Sequence, residues 1–351
     1  MESTKTIMKK CTHLKKVRST INSNCKGDRR KGAVKSICIL DDTYGPATDK
    51  PLISILLAVY NPKYSWLKEQ LISLNNQSYE NLELIVYDDC SEKPLDEDFV
   101  KKYIFSFRYT IIRGNKNIGS NKAFEELTKK GNGEYFAYCD QDDIWEVNKI
   151  QILINKLIKE NSILVYSDMS VIDKDGCLTH SSLIQAKPRI KYTYGEGLFN
   201  KFFFNNCVSG CCMLVNSEIA RKAIPFSEVT IHDQWLCIIA SIYGTISYVD
   251  KPLVKYRIHG DNQTASLKGV FDKEDYYNLR VNILKKRLEE IKNIASNVEL
   301  DKIEDFCDAR IKKKLIKLFK YKYLSEKEAI FEIVIKYMPN FLFKLILKKL
   351  K

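Results

Sequence analysis

Three carboxylates fall within four residues at Asp140-Gln141-Asp142-Asp143. A short aromatic run, Tyr135 to Cys139, leads into them and is opened by the turn residues Gly131-Asn132-Gly133. Such a run reads as a buried strand. The acids then sit at its C-terminal end, the edge where open α/β sheets hold their ligands. Crowded carboxylates repel one another unless a cation lies among them. A hard divalent ion that also bridges a phosphate-bearing substrate suits this set of oxygen donors. The plainer reading is a solvated turn, with Asp143 as the N-cap of a helix from Trp145 to Lys159.

The surrounding elements alternate. Leu52 to Tyr60 is nearly all apolar, as in a strand buried on both faces. Trp66 to Gln77 carries apolar residues at helical spacing, and Leu82 to Tyr87 is a second strand ending in Asp88-Asp89. Tyr109 to Ile112 reads as a third strand and Gly119 to Lys130 as a helix. This order predicts an α/β fold with a Rossmann-like, mostly parallel sheet flanked by helices. Further on, Ile163–Ile172, Cys211–Val215, Thr245–Val249 and Val254–Tyr256 are expected strands. Gly195–Phe204 and His232–Tyr243 are expected helices. From Tyr276 the chain is charged amphipathic helix, and its last segment, Lys327 to Lys351, is interrupted at Pro339.

The net charge of the 351 residues is +13, unevenly spread. Residues 1–36 carry +9 and residues 311–351 another +9, which leaves the middle at −5. Basic ends on an acidic centre argue against a nucleic-acid groove through the core. The 11 cysteines are scattered without a Cys-x-x-Cys pair, and they read as buried apolar residues of a reducing cytoplasm. No signal-peptide pattern or membrane-span-length apolar run is visible, so a cytoplasmic protein is expected.

Five stretches add up in order: Ala58-Val59-Tyr60-Asn61-Pro62, Asp88-Asp89, Asp140-Gln141-Asp142-Asp143 with Ile144-Trp145, His232-Asp233-Gln234-Trp235, and Tyr256-Arg257-Ile258-His259-Gly260. Their order and spacing resemble the family 2 inverting glycosyltransferases of the GT-A fold, most closely the rhamnosyltransferase-like enzymes of bacterial surface polysaccharides. The resemblance spans roughly residues 51–265 and neither basic end. It implies a GT-A catalytic domain over 51–265, while the polar, basic stretch 1–50 reads as a weakly ordered extension and 266–351 as a helical region with a basic amphipathic tail. It also implies a nucleotide-diphosphate-sugar donor (dTDP-rhamnose or a UDP-sugar) and a Mn2+ or Mg2+ cofactor.

Carried across by position, the resemblance makes Ala58, Tyr60, Asp89, Asp140 and Arg257 donor-binding residues. Asp89 would accept from a ring N–H of the base, and Arg257 would clamp phosphate. Lys122, at an expected helix N-terminus, would meet phosphate as well. Asp142 would ligate the metal, with His259 as a further ligand. Asp233 would be the base that takes the acceptor hydroxyl proton, and Ser209-Gly210 would face the acceptor. Asp233 also stands where a helix N-cap belongs, and the helix dipole would lower its pKa. Position 58 is Ala where many such enzymes carry Thr or Ser. The Gln-x-x-Arg-Trp motif of processive synthases is absent, so one sugar per binding event is expected.

Two rivals share parts of this pattern. A sugar-1-phosphate nucleotidyltransferase would show a Gly-rich basic loop after the first strand, and residues 58–66 contain no Gly. A non-catalytic glycan- or lipid-binding module would have lost Asp142 or Asp233, and both are present. The Lys-rich tail reads either as a solvated helix packed on the domain or as an interfacial helix on the anionic inner face of the plasma membrane, beside a lipid-linked acceptor.

Overall fold

Parallel strands with apolar runs need cover on both faces, and this chain supplies it. The computed structural model describes residues 36–38, 50–260, 269–295 and 300–350. The rest of the expected N-terminal extension, 1–35 and 39–49, lies outside the described residues. Strand β1 (Ser36–Cys38) is followed by β2 (Ile53–Val59), α1 (Tyr64–Asn75), β3 (Leu82–Asp88), α2 (Glu97–Tyr103), β4 (Arg108–Arg113), α3 (Ser120–Lys130) and β5 (Tyr135–Cys139). β4, β3, β2 and β5 lie side by side, all parallel, and β1 pairs antiparallel at the outer edge of β4.

The second half of the sheet is mixed. It comprises β6 (Ile144–Trp145), α4 (Lys149–Lys159), β7 (Leu164–Ile172), β8 (Leu178–His180), α5 (Leu183–Ala186), α6 (Phe199–Phe204), β9 (Met213–Asn216), α7 (Ser217–Lys222), α8 (His232–Tyr243) and β10 (Ile246–Arg257). β9 inserts antiparallel between β5 and β7, β10 runs parallel to β7, and β6 closes the edge antiparallel to β10. Two of the expected strands are one: β10 runs unbroken past Pro252, absorbing it with register shifts on either side. The helix expected from Trp145 begins later, at Lys149, because Ile144 and Trp145 are drawn into β6. Asp143 is therefore no N-cap; Asn148 holds that position.

The two edges of the sheet differ in character. At the N-terminal edge, Ser54 at the start of β2 donates to Glu83 at the start of β3 (2.6 Å). Glu83 also accepts from the Asn132 amide (2.8 Å) and pairs with Arg108 (3.0 Å). The buried Ser54 and Glu83 are satisfied by one another and by these two surface partners, which ties the strand starts in register. The C-terminal edge carries the acids.

The C-terminal region is helical: α9 (Lys273–Tyr276), a π-turn at Tyr277–Val281, α10 (Ile283–Ile294), α11 (Asp301–Ile311), α12 (Leu315–Lys320), α13 (Glu326–Tyr337) and α14 (Asn340–Leu350). α10 grips the half that carries the sheet. Buried Arg287 donates to Thr230 Oγ1 (2.9 Å) and to the Phe203 carbonyl, and Glu290 accepts from Ser227 (2.5 Å) and the Glu228 amide (3.0 Å). The loop leading into α8 is thereby fixed. The tail forms its own small core of Val270, Tyr276, Val281, Ile335, Phe343 and Leu347. Arg310 and Glu332, both almost fully buried, pair inside it at 3.1 Å. Among the described residues no helix is long and apolar enough to cross a membrane.

Candidate active site

Because β2, β3 and β5 run parallel, their C-terminal ends emerge together and deliver Tyr60, Asp88-Asp89 and Asp140 to one edge. Ala58 is half-buried in β2, and Tyr60 is exposed just beyond it. Gln141 clasps Tyr60 from both sides: its oxygen accepts the Tyr60 N–H (2.9 Å) and its amide donates to the Tyr60 carbonyl (3.2 Å). Asp88 accepts from the Ser91 and Leu95 amides (2.9 and 3.0 Å) and pairs with Arg113 (2.5 Å), so it holds the loop after β3. Asp89 accepts from the Ile118 and Gly119 amides, each at 2.8 Å, and ties down the loop before α3. Burial pushes its pKa up, against the lowering by those two amides. Gly119 sits at φ +81°, a conformation that a Cβ disfavours. Lys122 turns to Glu125 (2.8 Å) and the Phe226 carbonyl (3.4 Å).

The acid edge is crowded. Asp140 and Asp142 are half-buried and Asp143 is fully buried. Burial and the neighbouring carboxylates, those of Asp143, Asp142 and Asp233, hold Asp140 well above the ordinary carboxylate range. Asp143 is raised by burial and then by Asp142. Asp143 accepts the Arg257 backbone N–H (2.9 Å), and Asp142 meets His259 Nε2 at 2.6 Å. The Arg257 guanidinium is buried inside the wall. Its Nε donates to the Asp142 carbonyl (2.8 Å), Nη1 to the Asp173 carbonyl (3.3 Å), and Nη2 pairs with Glu69. Trp66 lies between the two β10-end residues, 4.7 Å from the His259 ring and 5.4 Å from the Arg257 guanidinium.

Beneath the acids lies Lys149, fully buried, whose ammonium donates to the Cys211 carbonyl (2.5 Å) and stands 3.0 Å over the Trp145 ring. Burial lowers its pKa to about 8, while Cys211, Cys139, Cys212 and Asp143 hold it up against that. The donor atoms of Asp140, Asp143 and Cys211 lie within 4.8 Å of one another. The Cys211 thiol is pushed well up, first by burial, so it is a protonated neighbour and a poor ligand for a hard ion. The carboxylates of Asp140, Asp142 and Asp143 with the His259 imidazole are an oxygen-rich donor set that fits Mg2+ or Mn2+.

The opposite wall holds Asp233. It is the second residue of α8, not its N-cap, which is Ile231. Its Oδ1 accepts from Asn206 Nδ2 (2.9 Å), and the Gln234 and Gly210 amides also bond the carboxylate. These contacts and the helix terminus favour the ionised form, yet burial outweighs them and pushes the pKa up to about 7. The sign is opposite to the one expected from the dipole alone. Gly210, buried, faces the His232 ring, where a methyl group would overlap Nε2; Ser209 is half-buried beside it. His232 stacks on Phe124 (4.1 Å between centroids), and burial lowers its pKa to about 3, so it is neutral.

The structure thus gathers Asp140, Asp142, Arg257 and His259 at one place and Asp233 with Gly210 beside it. Lys122 is turned to Glu125, and Asp89 is engaged with loop amides. Sequence reading missed Trp66, Glu69, Lys149 and Asn206 as site residues. Trp66 follows the turn at the end of β2, the one local signal among the four.

The family model for Glycosyl transferase family 2 matches residues 54–223, a stretch that ends before Asp233. An uncharacterized glycosyltransferase of Rickettsia typhi is 30% identical over 244 residues, 68% of this chain and 73% of that protein. Escherichia coli WfgD, a UDP-Glc:alpha-D-GlcNAc-diphosphoundecaprenol beta-1,3-glucosyltransferase, is 28% identical over 235 residues, 64% of this chain and 85% of its own. The crystal structure of S. aureus TarS 1–349 in complex with UDP-GlcNAc matches with a TM-score of 0.53 at 18% identity, over 79% of this chain and 82% of that one. That likeness shows a shared GT-A fold.

The raised Asp233 pKa has a stability consequence. Between its ordinary 3.8 and about 7 the folded state holds a proton that the unfolded state releases. Stability therefore falls as pH rises through that window. Asp233→Asn removes the ionisable group. Its unfolding midpoint is expected to exceed that of the parent by a few degrees at pH 8 (about 1–2 °C per kcal/mol for a chain of this size). The gap should shrink towards pH 5 when both are scanned by differential scanning fluorimetry. A gap that does not change with pH would contradict the assignment.

Proposed function

The chain belongs to glycosyl transferase family 2, and on that premise we propose that it moves one sugar from a nucleotide-diphosphate donor to a hydroxyl of a lipid-linked or growing surface glycan. The observation that carries this reading is the gathering of Asp140, Asp142 and Asp143 at one sheet edge, with His259 on Asp142 and with Asp233 close enough for its charge to raise Asp140. A UDP- or dTDP-sugar is the proposed donor. It is supported by the UDP-Glc in WfgD's name and the UDP-GlcNAc bound to TarS.

Asp142 and His259, with Asp140 beside them, would hold Mn2+ or Mg2+. Bound there, the ion supplies charge neutralisation for the departing diphosphate. The Asp89 oxygens each keep a lone pair beyond their amide bonds for a ring N–H of the nucleotide base. Arg257 acts from within the wall, fixing Asp143 through its N–H and the Asp142 carbonyl through its Nε. Asp233 takes the acceptor hydroxyl proton as the new glycosidic bond forms in a single displacement. A base with a pKa near 7 matches a neutral working pH. Asn206 and the Gly210 amide aim its carboxylate, and Ser209 borders the acceptor.

The acceptor's surroundings follow from the tail. Ile316, Phe319, Tyr323, Tyr337 and Phe341 are each more than 60% exposed on the C-terminal helices, among many lysines. Apolar side chains ringed by Lys suit the anionic inner face of the plasma membrane. Phe319→Glu combined with Phe341→Glu should lower co-sedimentation with anionic vesicles several-fold while UDP binding stays unchanged. Equal sedimentation would remove the membrane from this reading.

The donor site is tested by calorimetric titration with UDP and dTDP, with Mn2+ or with EDTA, beside Asp142→Ala. Binding on the order of micromolar is expected for one nucleotide, lost in EDTA and in the variant. Binding of equal strength under all three conditions would contradict the metal-dependent donor site.

A further inference from the structure

A second cavity lies next to Asp233 and has a charge of its own. It encloses about 380 Å³ between the 189–193 segment, the end of α6 and the start of α13. Asn206 joins it to the site: the residue lines the cavity and donates to Asp233 at 2.9 Å. Arg189, Lys191, Lys201 and Lys327 line it too, all four exposed. None of the four forms a salt bridge among the described residues, although many other lysines of this chain pair with acids. Two acids, Glu326 and Glu328, share the lining, and Glu328 accepts from the Ser325 hydroxyl, so four cations against two carboxylates leave the cavity a net charge of +2.

Unpaired cations gathered in a concavity repel one another and attract an anion, with the effect strengthened by the low-dielectric walls. Guanidinium and ammonium groups together suit phosphate oxygens. We propose that this cavity is the acceptor subsite, and that it recognises a phosphate or diphosphate group carried by the acceptor beside the sugar whose hydroxyl meets Asp233. This rests on the glycosyl-transfer reading and deepens it by naming the acceptor's chemical class. The start of α13 contributes Lys327, so the C-terminal region completes the acceptor site and does more than support the domain. The phosphate can come from a lipid diphosphate or from a phosphate in the glycan itself; recognition by the four cations is the same.

The test uses the full-length protein with UDP and Mg2+ at saturation, so that the donor site is filled. Three probes are titrated: a short-chain alkyl diphosphate-linked GlcNAc, the uncharged alkyl GlcNAc glycoside of equal chain length, and inorganic pyrophosphate. The diphosphate probe should bind at least about tenfold more tightly than the glycoside. Arg189→Glu combined with Lys201→Glu should abolish that preference and leave UDP binding intact. Lys251→Glu, an exposed charge reversal outside the cavity, should change neither. Competition by pyrophosphate as strong as by the lipid probe supports recognition of phosphate alone. Competition by the lipid probe only supports recognition of the phosphate together with its chain. Equal binding of the charged and uncharged probes, or full retention of the preference in the double variant, would overturn the proposal. Failure of UDP to bind at all would instead count against the donor reading, independently of this cavity.

Discussion

The burial of crowded carboxylates at one edge of the sheet is the constraint around which the molecule is built. Parallel β2, β3 and β5 must end together, and β5 ends in Asp140, Asp142 and Asp143, with Asp233 facing them from α8. The protein offsets this crowding only in part. Lys149 lies buried beneath, the Arg257 N–H meets Asp143, and Asn206 meets Asp233. Asp140, Asp143 and Asp233 nonetheless remain raised, all three first by burial and the first two also by neighbouring carboxylates, so the protein's own groups only partly support their ionised forms. On the proposed reading, a divalent cation arriving with a diphosphate would be the complement that this arrangement lacks within the chain.

The rest of the fold keeps that edge in place. The buried Ser54–Glu83–Asn132 network fixes strand register at the far edge, so the acid-bearing ends cannot slip. Arg257 draws together α1 through Glu69, the β5 end through Asp142 and the β7 hairpin through Asp173. α10 does the same for α8 by way of Arg287 and Thr230. The helical C-terminal region thus reaches the active site twice, once by bracing the loop before Asp233 and once by lining the cavity next to it.

Much of this was legible in the residues. The near-continuous apolar run of β2 announced a strand buried on both faces, the aromatic run of β5 a buried strand, and acids at the ends of β3 and β5 a site. The five motifs in order led to the family. What stayed hidden is tertiary in origin. β6 is two residues long, too short for any periodicity, and it moved the start of α4 from Trp145 to Lys149. β9's place between β5 and β7 leaves no trace in its four residues. Lys149 reads as an ordinary polar position in an amphipathic helix, yet it is the internal counter-charge. The partners of Arg257 are up to 188 residues distant in sequence. Asp233 shows the limit of local reasoning most clearly: the helix terminus favours ionisation, but burial, visible only in the folded chain, is the larger effect.

The crowded carboxylates are expected to be ionised together only in the company of a divalent cation. Carbon-13 NMR of aspartate labelled at the side-chain carboxyl measures this directly, with titration from pH 5 to 9 in the absence and presence of Mg2+ and UDP. Elevated titrations are expected without the ion, and they should fall towards the ordinary aspartate range when Mg2+ and UDP are added, with the high-titrating signals missing from Asp140→Asn and Asp143→Asn. If all aspartates titrate normally without the ion, or if the elevated titrations are unmoved by Mg2+ and UDP, the acid edge is not a cation site and the account built on it fails.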